Sequence, residues 1–336
     1  MKRAPFYLAS ARGMCNNAAV MNAIPLRDKY ETLLTLKRGR RHSTLYHPIA
    51  EPAGAAVLGR VIALLGEIDD LEDIPENAND YIGEDEQQRA LEAGDSRITK
   101  RQHLVMKAHI ARFATEGQVW ALHKESGRVE RKSPRAGLFC ANRLWTQLAE
   151  AGWMKATEDL FHEITSSELP DRVDDPVVQD AIRDYWLLCR SRIRVMLKPP
   201  RAYNFPDTTR IDFTTEERDK LELAGYSPLS VQGDETRGMA AMLISALMDR
   251  DSSLVSDVRW GLITLTDGQI VLPDLIGHLV LPIAPKLLLK GYKSDDPEYT
   301  PHAKAHNADS MNAQLISGCK RFAISHSESI LRTCSP

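Results

Sequence analysis

The sequence predicts an α+β fold: a mixed sheet built from both ends of one domain, a central group of helices, and a mainly helical N-terminal extension. Three observations carry this. Apolar residues recur at helical spacing through the middle of the chain. Short strand-like runs punctuated by Gly and Pro lie on either side of them. Helices in the middle and strands at both ends then ask distant segments to share a sheet.

In chain order, residues 1–68 form the extension. Val57, Leu58, Val61, Ile62, Leu65 and Ile68 repeat at helical spacing and predict one amphipathic helix, which Gly59 and Gly66 weaken. From Glu67 to Asp95 the chain turns acidic and carries few apolar side chains. Residues 69–97 are read as a solvated acidic linker, since a stretch that buries little cannot offset its ordering entropy. The sharper alternative is an acidic mimic covering a basic groove.

The main domain spans 98–330, followed by a tail at 331–336. Gln118–His123 and Arg128–Arg131 read as two strands joined at Lys124–Gly127, where Gly127 supplies the positive φ of a tight hairpin. A helix is expected over Asn142–Glu163. Another opens at Asp175-Pro176, an N-cap followed by a proline at the first helical position, with Val178, Ile182, Tyr185, Leu188 or Cys189, and Ile193 facing the core. Thr236–Met248 predicts a further helix. Leu262–Thr266, Gln269–Leu272, Leu279–Ile283 and Leu287–Leu289 read as strands. A last helix at Ala308–Cys319 leads into a strand at Arg321–Ser325.

The 336 residues carry a formal net charge of −3, so there is no global electrostatic case for nucleic-acid binding. Five cysteines, far apart and without a C-x-x-C pair, predict free thiols rather than disulfides or structural zinc. The opening apolar stretch is short and holds Pro5 and Ser10, unlike a signal peptide. The longest apolar run, Ala55–Leu65, contains Arg60 and is well below the ~20 residues that span a bilayer. A cytoplasmic protein without a membrane partner is expected; oligomeric state stays open.

Gln102-His103-Leu104-Val105-Met106, Phe113, Trp120 to Arg128, Ser133-Pro134, Thr266-Asp267, Pro282-Ile283-Ala284-Pro285 and Asn312 before Arg321–Ser325 occur in that order. On these residues the chain, over about 98–330, resembles the bacterial family called domain of unknown function four-two-three-eight, which opens with a Gln-His-Tyr-x-Pro motif. Leu104 and Met106 stand where that family has its aromatic and proline, and Gly268-Gln269 where it often has Asn-Pro. The resemblance implies a role in anti-phage defence and supplies no reaction.

His103 leads the candidates for chemistry, because an imidazole can exchange a proton near neutral pH. Gln102 could orient a substrate. Lys107, four residues on, would share a helical face with His103 if the segment is helical, and could stabilise an oxyanion or phosphate. Asp267, at a strand end, could orient His103 or hold a divalent cation, the one cofactor the residues admit; Asn312 could complete the cluster. Each has a plainer role: His103 as a hydrogen-bonded tie, Asp267 in its own turn, Asn312 as a cap.

Arg101, Arg128 and Arg131 are candidate substrate contacts. They belong to three basic groups: Arg97, Lys100, Arg101 and Lys107; Arg128, Arg131, Lys132 and Arg135; and Arg190, Arg192, Arg194, Lys198 and Arg201. If these converge beside His103, a phosphate backbone could dock there; otherwise they are separate solvated faces. His302 and His306 have metal-pair spacing but lie in a stretch expected to be a loop, and no metal site is assigned. Neither a Walker A motif nor a dinucleotide-binding fingerprint occurs. Two hypotheses remain: a nuclease-like effector in defence or a toxin, and a non-catalytic sensor or binding module in which the same residues are structural.

Overall fold

A computed structural model of the chain describes residues 97–200, 214–223 and 234–333. The expected amphipathic helix at 57–68, the acidic segment, Cys15, Cys334 and Arg201 lie outside these residues.

The strands begin with β1 (Arg101–His103), which pairs antiparallel with β4 (Cys140–Asn142) in a two-stranded ribbon. Between them stands the expected hairpin, β2 (Val119–His123) and β3 (Val129–Lys132), turning through Gly127 at φ 63°. A side chain at that angle is strained, which is why glycine sits there.

The helical layer follows. After the short α1 (Lys107–Ala111), a helical run starts at α2 (Gln147–Ala149), where the Thr146 hydroxyl accepts from the Ala149 amide. It continues through a π-turn kinked at Gly152 into α3 (Lys155–Glu163), a second π-turn, and α4 (Leu169–Arg172). The expected Asn142–Glu163 helix therefore starts later and runs further. Kinks at glycine and π-turns are usual, because the hydrogen-bond ladder is interrupted there.

The Asp175 carboxylate accepts from the Val177 amide and opens α5 (Pro176–Leu197). Its predicted face, Val178, Ile182, Tyr185, Leu188, Cys189 and Ile193, is buried throughout. Helix α6 (Thr215–Leu223) follows, then α7 (Asp234–Leu254), which packs on α5.

Strand β5 (Val258–Leu265) is paired antiparallel with β8 (Leu287–Lys293) and parallel with β9 (His302–Ala305); β7 (Val280–Ala284) pairs with the far side of β8. His302 is therefore on a strand, not a loop. Finally, α8 (Asp309–Gly318) leads into β10 (Phe322–Ser325) and α9 (Glu328–Thr333). β10 inserts between β2 and β6 (Leu272–Pro273), giving the order β3-β2-β10-β6.

The fold is thus α+β, and both ends of the domain do share a sheet. That sheet is antiparallel among its strands, however; the mixed sheet is the separate β7-β8-β5-β9, built wholly from the later half. Trp145, Phe113, Phe139, Phe161, Tyr185, Trp260 and Phe322, all fully buried, knit sheets and helices into one core. Cys140, Cys189 and Cys319 are buried free thiols. No described helix is long and apolar enough to cross a membrane.

Candidate functional site

The opening segment that carries Gln102 and His103 is a strand because it pairs with β4, residue for residue: Gln102 against Ala141 and His103 against Cys140. Adjacent residues on a strand face opposite ways. Gln102 turns inward and is buried. Its amide nitrogen donates to the Trp145 carbonyl at 2.7 Å, and its amide oxygen accepts from the Trp145 N–H at 3.0 Å. Both halves of the side chain are thereby used on one backbone unit.

His103 is half-buried. Its Nε2–H donates to the Pro134 carbonyl at 3.1 Å, which leaves the lone pair on Nδ1. Burial lowers its pKa; the Pro134 bond and Glu158 oppose that, and Arg192 and Lys107 add to it. Lys107 is exposed at the start of α1, whereas His103 lies on β1, so the two do not share a helical face. A three-residue turn between strand and helix separates them.

Asp267 is elsewhere. It is exposed, with Oδ1 accepting from the adjacent Gly268 N–H at 2.8 Å, while its own N–H donates to the His306 carbonyl at 2.8 Å. No hydrogen bond or ion pair among the described residues joins it to His103, and the charges bearing most on that imidazole are Glu158, Arg192 and Lys107. Asn312 is buried inside the first turns of α8. Its Oδ1 accepts from the Val271 N–H at 2.9 Å and its Nδ2 donates to the Gln269 carbonyl at 2.7 Å. It binds α8 to the extended segment leading into β6 rather than capping the helix.

The basic groups are drawn apart. Arg101 is exposed on β1. Arg128 and Lys132 both meet Glu130, at 3.4 and 2.9 Å. Arg131 meets Glu116 at 3.2 Å and the Thr115 carbonyl at 3.1 Å. Of the third group, Arg192 reaches the His103 segment, through the His103 carbonyl at 3.2 Å. Among the described residues the imidazole's hydrogen bond goes to the Pro134 carbonyl and not to a basic side chain.

Arg192 is the residue that sequence reasoning misplaced. It is fully buried, paired with Glu158 and, at 3.5 Å, with Glu150, and stands 5.1 Å from the centroid of Trp145. Burial pulls its pKa down, but the two carboxylates outweigh that and raise it. Glu158 is pushed upward by burial, against the pull of Arg192. The signal was present: Arg192 follows Tyr185 by seven positions and Cys189 by three, on the apolar stripe of α5.

For other interior polar residues no local signal identifies the partners. His109, fully buried, donates from Nε2 to the Pro282 carbonyl at 2.6 Å and accepts at Nδ1 from the Tyr185 hydroxyl at 3.0 Å. Burial drives its pKa down to about 3. Asp274, also buried, accepts four backbone N–H groups, from Leu275 (2.7 Å), Lys320 (2.9 Å), Arg321 (2.5 Å) and Phe322 (3.2 Å). Burial raises its pKa and these four bonds oppose the rise. Arg143, held at φ 45° and buried, pairs with Asp219 and Glu222 of α6, each at 2.7 Å.

Burial raises the thiol pKa values too, to about 11 at Cys140 and about 12 at Cys189 and Cys319, which keeps them protonated and unreactive. Among the described residues no group of three His, Cys, Asp or Glu side chains could hold a metal ion.

Comparison of the chain with protein-family models, with curated proteins and with solved structures finds no match.

Proposed function

We propose that the chain is a non-catalytic sensor or binding module in which the polar residues of its opening and closing segments are structural. One observation carries this reading: the buried amides of Gln102 and Asn312 each spend both their donor and their acceptor on main-chain groups far away in sequence. Both side chains are also enclosed, at 1 % exposure each, so neither presents its remaining hydrogen-bonding capacity to a substrate. His103 on the Pro134 carbonyl and Asp267 in its own turn fit the same pattern.

A second reading, a nuclease-like effector in anti-phage defence or a toxin, draws support from one feature. The Nδ1 of the half-buried His103 has no partner among the described residues, and it is the nitrogen that could accept a proton.

His103→Ala separates the two. Under the module reading the variant melts clearly below wild type, because losing a half-buried hydrogen bond and its packing costs about 1–3 kcal/mol, and the purified wild type leaves RNA and DNA intact with Mg²⁺, Mn²⁺ or no metal. Unchanged melting together with loss of toxicity or of cleavage would overturn it.

A further inference from the structure

Trp186, Arg190 and Arg194 follow one another at four-residue spacing along α5, so they form a single stripe on that helix. Arg194 is 5% exposed and donates from Nη1 to Asp251 Oδ2 at 2.6 Å. Arg190 has its Nε 3.9 Å from the same oxygen, and its guanidinium lies 5.4 Å from the centroid of the Trp186 ring. Arg250, on α7, meets the other oxygen of Asp251 at 3.0 Å and has further partners.

The stripe is oversupplied with donors and with charge. Counting Arg250 as compensated by its other partners, Arg190 and Arg194 still bring two positive charges to one carboxylate. The Nε of Arg194 and the indole Nε1 of Trp186 are buried without an acceptor among the described residues. Arg190, although ion-paired, makes no hydrogen bond to a described residue. Guanidinium groups cannot shed a proton to relieve this, and buried donors left unmade are costly. An added acceptor that is also an anion would resolve both problems.

We propose that Arg190 and Arg194, backed by Trp186 and Asp251, form a binding site for a phosphoryl group. A carboxylate ligand would bring two oxygens and one charge. A phosphoryl group brings three or more acceptor oxygens, closer to the number of donors here, namely the Arg194 Nε, the Trp186 Nε1 and the guanidinium of Arg190, and it suits the planar fork of arginine. Entry is through Arg190, whose side chain is 31% exposed, while Arg194 waits beneath with its charge fixed by Asp251. This site is separate from His103, and its test is independent of the role of that residue.

Calorimetric titration of the full chain with inorganic phosphate tests it, with a nucleoside 5′-monophosphate, sulfate and acetate as parallel arms. Saturable phosphate binding is expected, with acetate bound at least about ten-fold more weakly. Preference for the monophosphate assigns the group to a phosphate ester; equal affinity assigns it to free phosphate. Arg190→Gln should weaken binding about ten-fold or more while melting unchanged in phosphate-free buffer, and being half-exposed it avoids the folding risk of a change at Arg194. No heat and no phosphate-dependent rise in melting temperature for wild type would overturn the proposal. So would acetate binding as well as phosphate, or undiminished binding by Arg190→Gln.

Discussion

His109 donates to the Pro282 carbonyl and accepts from Tyr185 while wholly enclosed, and only the neutral imidazole can do both. Its pKa falls to about 3 from an ordinary 6.5. The unfolded chain takes up a proton that the folded chain refuses, so stability is whole above pH 6.5 and declines as pH falls below it. Between pH 7.5 and pH 5 that loss is about 2 kcal/mol. Glu158 and Asp274, with raised pKa values, act in the opposite sense at lower pH, so the informative quantity is a difference. Urea midpoints of wild type and His109→Gln should converge as pH drops from 7.5 to 5; parallel curves would sink the assignment. Sequence alone could not reach this residue. His109 sits among Val105, Met106, Ile110 and Phe113, which indicates burial, but its partners arrive from positions 185 and 282.

At the scale of elements, local signals were legible where they act locally. Asp175-Pro176 specified the start of α5 because a cap and a fixed φ operate within a few residues. Replacing Asp175 by Ala should therefore cost about 0.5–2 kcal/mol, read as a lower midpoint in denaturant; an unchanged midpoint would mean that packing alone fixes the helix start. Gly127 announced its hairpin for the same reason. The segment at His103 was less readable. Its three-residue strand exists only because Cys140–Asn142 lies beside it, so the spacing to Lys107 suggested a helical face that does not form. Arg192 was hidden by its company: in a run with Arg190 and Arg194 it looked like part of a solvated face, yet it turns inward to Glu158 while the other two share Asp251. Asp267 makes the local turn bond to Gly268 that its place before a glycine allows, whereas the bonds of Asn312 to Val271 and Gln269 are long-range facts that spacing does not encode.

Across the whole molecule, the sheet β3-β2-β10-β6 joins the early β2–β3 hairpin to the last strand of the domain. That two ends would meet was legible from the order of strand-like and helical segments. Which sheet would be mixed was not, since strand direction depends on the path of the connections. Because β10 is flanked by β2 and β6, its amides should be freed together with those of β2 in one cooperative opening. Native-state hydrogen exchange should give similar opening free energies for Ala121–His123 and Phe322–Ile324. Much faster exchange at β10 alone would show that the last strand is peripheral.

The central place of β10 also bears on synthesis. On the ribosome, Val119–His123 emerges roughly two hundred residues before the strand that will cover its open side. Until then the nascent hairpin presents Trp120 and Leu122 beside unpaired backbone groups, a template for the wrong neighbour. A chain stalled anywhere between those strands is therefore expected to need a chaperone, and the protein's yield in a cell to depend on how fast translation crosses that gap.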